Sequence, residues 1–115
     1  MTAFTAEDLA PIVVTAVPVQ GGTLHPVGEP LTLALRIYTD GVGGDWLTFD
    51  CPDLGLDDID RTRADLVDSV AGSLAFLWAE YATEDDARLD PRVLGLAARL
   101  RARFRFVPAP IEDAR

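Results

Sequence analysis

Two alternating segments joined by a glycine-rich turn constrain this chain more than any other feature. Residues 31–39 put Leu31, Leu33, Leu35 and Ile37 on one face, and Thr32, Ala34, Arg36 and Tyr38 on the other. That is the period of a half-buried strand. Residues 40–44 (DGVGG) supply the positive-φ positions of a tight hairpin, and residues 45–51 alternate again. With Thr39 opposite Asp45, Ile37 faces Leu47, Leu35 faces Phe49 and Leu33 faces Cys51. On the other side Tyr38 faces Trp46 and Arg36 faces Thr48, with Asp50 diagonal to Arg36. A slip of one residue would mix the two sets, so the pattern specifies its own register.

The flanking segments complete a layer on this hairpin. Thr5 with Glu7 and Asp8 predicts a capped helical turn in the leader, residues 1–11, ended by Pro11. Residues 12–19 (IVVTAVPV) are rich in β-branched side chains and predict a strand, with Pro18 confining it to an edge. Residues 20–30 carry three Gly and two Pro and predict a loop. After Cys51 an acidic Pro/Gly segment follows, with a short extended piece around residues 56–59. Thr62 and Asp65 have the spacing of a capping box and start a helix reaching Ala82. Its expected core stripe is Val67, Val70, Ala71, Leu74, Leu77, Trp78 and Tyr81, with Phe76 opposite, among Ser69, Gly72, Ser73 and Ala79. Asp90-Pro91 starts a second helix over residues 91–105, burying Val93, Ala97, Leu100 and Phe104, with Leu96 at the margin. Arg92, Arg99 and Arg103 share a neighbouring stripe. Residues 106–110 leave that helix, and residues 111–115 form a frayed tail.

The order β-β-β-α-α predicts an α+β fold: one antiparallel three-stranded sheet with helices packed on one face. At 115 residues, with 49% hydrophobic and 25% charged side chains, the chain fits a single globular domain. The net charge is −9, and all ten bases are Arg; such a chain repels phosphate backbones, so direct nucleic-acid binding is disfavoured. A lone cysteine fits a reducing compartment. The N-terminus lacks the pattern of a signal peptide, and no apolar run approaches the ~18 residues of a membrane span. A cytoplasmic protein is expected.

The stretch WLTFDCPDLG, followed by Thr62 and an amphipathic helix, resembles the HicB-like antitoxin domain. Pro52, Asp53, Leu54 and Gly55 match its Pro-acid-Leu-Gly turn, and Thr62 stands ten residues after Pro52. Asp65 occupies the place of the family's capping Glu, Asp60 that of a Gly, and Leu66 that of a small residue. The resemblance covers residues 31–82. It implies an α+β module that neutralises a small basic RNase toxin. The family's frequent DNA-binding appendage has no counterpart here, since one Arg-rich helix is too little for it.

No catalytic constellation stands out. Cys51 as a nucleophile needs a base, and the only histidine, His25, lies in the Gly/Pro segment; a strand thiol packed against Leu33 is the simpler reading. His25 has no second soft ligand spaced for zinc. The acids Asp50, Asp53, Asp57, Asp58 and Asp60 lack the spacing of a calcium loop, and compensation of the helix dipole accounts for them. No cofactor is implied. Residues 45–90 carry 13 acids against three Arg, whereas residues 92–105 carry five Arg and no acid; these faces either pair within the molecule or attract partners. Tyr38 and Trp46 form either a stabilising cross-strand pair or a contact surface, and Phe76 marks an association surface. The expected function is non-enzymatic protein binding, antitoxin-like, by a homodimer, with Phe76, Ser69, Ser73, Tyr38, Trp46, Arg92, Arg99 and Arg103 as contact residues. An acidic nucleic-acid mimic, and behind it a metal-dependent hydrolase built on the Asp50–Asp60 cluster, are the alternatives.

Overall fold

A computed structural model describes residues 4–110; the expected tail at 111–115 and the first three residues of the leader lie outside them. The protein is mixed α+β, with antiparallel strands and two α-helices. It does not build one three-stranded sheet. Both long strands expected from the sequence divide in the middle, and each half takes a different partner. Residues 12–19 become β1 (Ile12–Val14) and β2 (Val17–Val19); residues 31–39 become β4 (Leu31–Leu33) and β5 (Arg36–Thr39). β1 pairs with β4, placing Ile12 opposite Leu33, so Leu33 does not face Cys51.

The expected loop at 20–30 holds a strand, β3 (Gly22–Pro26). It pairs with β2 on one side and with β8 (Phe104–Pro108) on the other. Gly21, at φ +83°, makes the tight turn between β2 and β3. As expected, Pro18 sits on an edge strand. The third sheet contains the predicted hairpin. β5 pairs with β6 (Asp45–Cys51) through Arg36–Thr48, Ile37–Leu47, Tyr38–Trp46 and Thr39–Asp45, the register read from the sequence. β7 (Leu56–Asp60) then adds to the far side of β6. Arg36 reaches the diagonal Asp50 at 3.4 Å.

Asp40 locks the hairpin tip. Its Oδ1 accepts from the N–H groups of Val42 and Gly44, each at 2.9 Å, and its Oδ2 accepts from Trp46 Nε1 at 3.2 Å. Those bonds, with the Arg61 guanidinium nearby, hold the Asp40 carboxyl below the usual carboxylate range. A depressed folded-state pKa contributes stability that is present above the ordinary carboxyl pKa and is lost as the pH falls through the lowered value. In a Trp78→Phe background, Trp46 emission is therefore expected to stay flat from pH 7 to about 4 and to shift only below that. An emission change centred between pH 5 and 7 would contradict this assignment.

α1 (Arg63–Leu77) starts at Thr62, whose Oγ1 accepts from Asp65 N at 3.1 Å. A π-helical turn, Trp78–Ala82, extends it. α1 lies across β6 and β7 of one sheet and β2 of another. Bridging two sheets turns its buried face: Leu66, Val70 and Leu74 are buried, whereas Val67, expected in the core, is 40% exposed. Asp90 caps a short 3-10 turn, Pro91–Val93, that leads into α2 (Leu94–Arg103). Ala97 and Leu100 are buried as expected. Phe104 is buried too, but as the first residue of β8 rather than on the helix. One apolar cluster joins the sheets to α1 and α2, and no polar side chain among the described residues is buried.

Candidate partner-binding face

The outer side of α1 carries one of the molecule's exposed large apolar side chains, and the only phenylalanine among the described residues that is more than half exposed. Asp65, Ser69, Gly72 and Phe76 recur at helical spacing along it, and Phe76 is 58% exposed. Beside Phe76 runs an open cleft of about 280 Å³ between α1 and the turn into β7, lined by Gly55, Leu56, Asp57, Gly72, Ser73 and Leu77. Gly55 makes that turn possible, at φ +64°, by closing the 3-10 turn Pro52–Leu54 with its N–H on Pro52 O at 3.1 Å. Gly72 has nothing within 4 Å of where a Cβ would stand, so the floor is open to an incoming side chain. α2 packs chiefly on the π-helical turn, the Pro52–Leu54 turn and β8, with its Leu96 near Gly55, and leaves Phe76 exposed.

The other expected contact residues are distributed differently. Ser73 lines the cleft, but Ser69 donates to Asp60 Oδ2 at 2.7 Å and ties α1 to β7. Trp46 is covered by the Arg61 guanidinium, 3.9 Å above its ring, so it stabilises the hairpin while Tyr38 beside it stays exposed. Arg92 folds back on its own cap, Asp90; the pair lowers the Asp90 pKa and raises that of Arg92. Arg99 donates to Asp53 O, and Arg103 to the carbonyls of Val27, Glu29 and Pro30. These last two are fasteners rather than a docking stripe.

Two further arginines belong with them and were not singled out by local sequence. Arg63 donates to the carbonyls of Asp8, Ala10 and Pro11, pinning the N-terminal turn in which Thr5 and Asp8 cap each other. Arg101 donates to the carbonyls of Tyr81, Ala82 and Glu84 and to Asp86, a cation at the negative end of α1 and its π-helical turn.

The family, protein and structure comparisons return no match for this chain. Its chemistry must be read from its own residues. Cys51 is half-buried rather than in the core, and lines a cleft of about 270 Å³ with Leu31, Leu54, Arg99 and Arg103. His25 is on β3, paired with Arg105 on β8. The acids at 50–60 disperse: Asp50 bridges to Arg36, Asp58 Oδ1 accepts from Ile59 N, and Asp60 holds Ser69. Among the described residues no three His, Cys, Asp or Glu side chains are grouped to hold a metal. No helix there is long and apolar enough to cross a membrane.

Proposed function

We propose that this chain is a non-enzymatic protein-binding module, antitoxin-like in the manner of HicB domains, that docks a small basic protein on the outer face of α1. The observation that carries this reading is Phe76, largely solvent-exposed beside an open cleft. An exposed aromatic side chain standing beside a cleft is the kind of anchor that protein interfaces bury. Asp57 within the cleft and Asp65 on the same stripe give it a negative rim, and the chain as a whole carries −9. A basic partner is therefore steered to it.

The test is to titrate the full chain into the reaction of a small basic RNase toxin of the kind HicB-like domains neutralise. The wild type is expected to inhibit, and Phe76→Glu to weaken inhibition by about 30-fold or more, the loss of one central anchor. Its far-UV spectrum and melt should match the wild type, because the side chain already stands in solvent. Undiminished inhibition by Phe76→Glu would place the docking face elsewhere, and no inhibition by the wild type would remove the antitoxin reading.

A further inference from the structure

We infer that the residue a basic partner inserts into the Phe76 cleft is an arginine, its guanidinium stacked on the Phe76 ring and donating to the Asp57 carboxylate. This rests on the reading of that face as the docking face, and adds which side chain it takes. The cleft, at about 280 Å³, falls below the roughly 300–1,000 Å³ of pockets that enclose drug-sized ligands, so it is sized for one long side chain. Its lining holds an exposed ring, Phe76, a hydroxyl, Ser73, and a single charged group, Asp57. Among the described residues the Asp57 carboxylate has no ion pair; the bridges are Arg36–Asp50, Arg92–Asp90 and Arg101–Asp86. Ser73 Oγ likewise makes no hydrogen bond there.

Asp57 also stands opposite Asp50 across the β6–β7 pairing. Like charges so placed repel, and Arg36 reaches Asp50 rather than Asp57. A cation brought to Asp57 from outside therefore relieves a repulsion that the chain leaves standing. Other clefts balance their own charges. The one beside Cys51 sets Arg99 and Arg103 with Asp53, and the one under the π-helical turn sets Arg88 and Arg92 among Glu80, Glu84 and Asp90.

Of the two basic side chains that could answer Asp57, arginine suits the rest of the lining. A guanidinium is planar, stacks on an aromatic face, and has N–H groups to spare for a carboxylate and a hydroxyl together. An ammonium is a compact, strongly hydrated charge that gains little from a ring held open to water. The chain already uses the arrangement once. Arg61 stands 3.9 Å over the Trp46 ring, and Trp46 Nε1 donates to Asp40 beside it. At the Phe76 cleft the chain supplies the ring and the carboxylate, and the partner supplies the cation.

The test needs no toxin. N-acetyl-arginine amide is titrated into the full chain at low salt and followed by NMR at the Phe76 ring and the Gly72 amide. Binding in the millimolar range is expected, as for one side chain presented alone. The N-acetyl-lysine amide and the neutral citrulline analogue should bind about fivefold more weakly or worse, and so should the arginine probe to Asp57→Asn or Phe76→Leu. Both variants should melt like the wild type, because both side chains are exposed. Equal shifts by the arginine and lysine probes, or arginine binding undiminished in Asp57→Asn, would overturn the assignment and leave only a diffuse acidic surface. Phe76 shifts that follow protein concentration alone would also overturn it, by placing a second copy in the cleft. Toxin inhibition by the wild type without arginine binding at the cleft would remove this inference and keep the docking face. Arginine binding without inhibition would keep the arginine site and remove the antitoxin reading.

Discussion

Phe49→Asp is expected to abolish the cooperative melt of this protein. Phe49 is 1% exposed at the centre of β6, between β5 and β7, within the cluster that includes Leu47, Leu66, Val70 and Leu74. Emptying such a site alone costs about 3–5 kcal/mol. Placing an unpaired carboxylate there adds several more, against a total stability of about 5–15 kcal/mol. Arg36→Asp, one strand away on the outer face, is the control: it loses an exposed ion pair worth under about 1 kcal/mol. Leu35→Asp falls between the two, because Leu35 is half-buried rather than in the core. Thermal melts followed by circular dichroism rank the three, and equal damage from Phe49→Asp and Arg36→Asp would mean that the faces of the hairpin are misassigned.

The second large effect comes from a single methyl group. Gly22 sits in β3 opposite Pro108 of β8, and a Cβ built on it would stand 2.2 Å from Val107 O and 2.9 Å from Phe106 Cζ. Its φ is not in the left-handed region, so the requirement is for space and not for conformation. Gly22→Ala must push β8 away or overpack the pair, costing about 1–3 kcal/mol. Its melting temperature is expected to drop by several degrees, at roughly 4 °C or more per kcal/mol. Gly72→Ala should move the opposite way, gaining about 0.5–1 kcal/mol from helix propensity, because the added methyl meets nothing. If both substitutions shift the melt in the same direction, Gly22 does not serve close strand approach.

These two glycines show where the sequence was readable. The hairpin register was legible because alternation on two neighbouring strands over-determines it, and the helix starts at Thr62 and Asp90-Pro91 were legible because caps are local. The β2–β3–β8 sheet was not. Gly21 and Gly22 look alike in sequence, yet one makes a turn and the other fits between strands. With His25-Pro26 and Gly28 they read as a continuous loop. Phe104 continued the spacing of Ala97 and Leu100, so a helical stripe absorbed the first residue of a strand. Of the candidate contact residues, Phe76 and Ser73 stand at the cleft by simple helix geometry. Arg99 and Arg103 are spent on carbonyls 46 and more residues away, and nothing local marks such a pairing. Trp46 is likewise covered by Arg61, a residue beyond its own hairpin.

The pairing of β3 with β8 joins two strands that lie far apart in the sequence. Leu24 and Phe106 lie opposite each other, so closing this sheet carries one of the largest loop-closure entropies the chain can incur. During synthesis the hairpin and α1 can form as they emerge, but β3 waits for β8 to be made. Until then Val17 and Leu24, both almost fully buried in the finished fold, have no strand to complete their sheet. The nascent chain is thus aggregation-prone until β8 has been made, and a chain cut short after α2 would remain in that state.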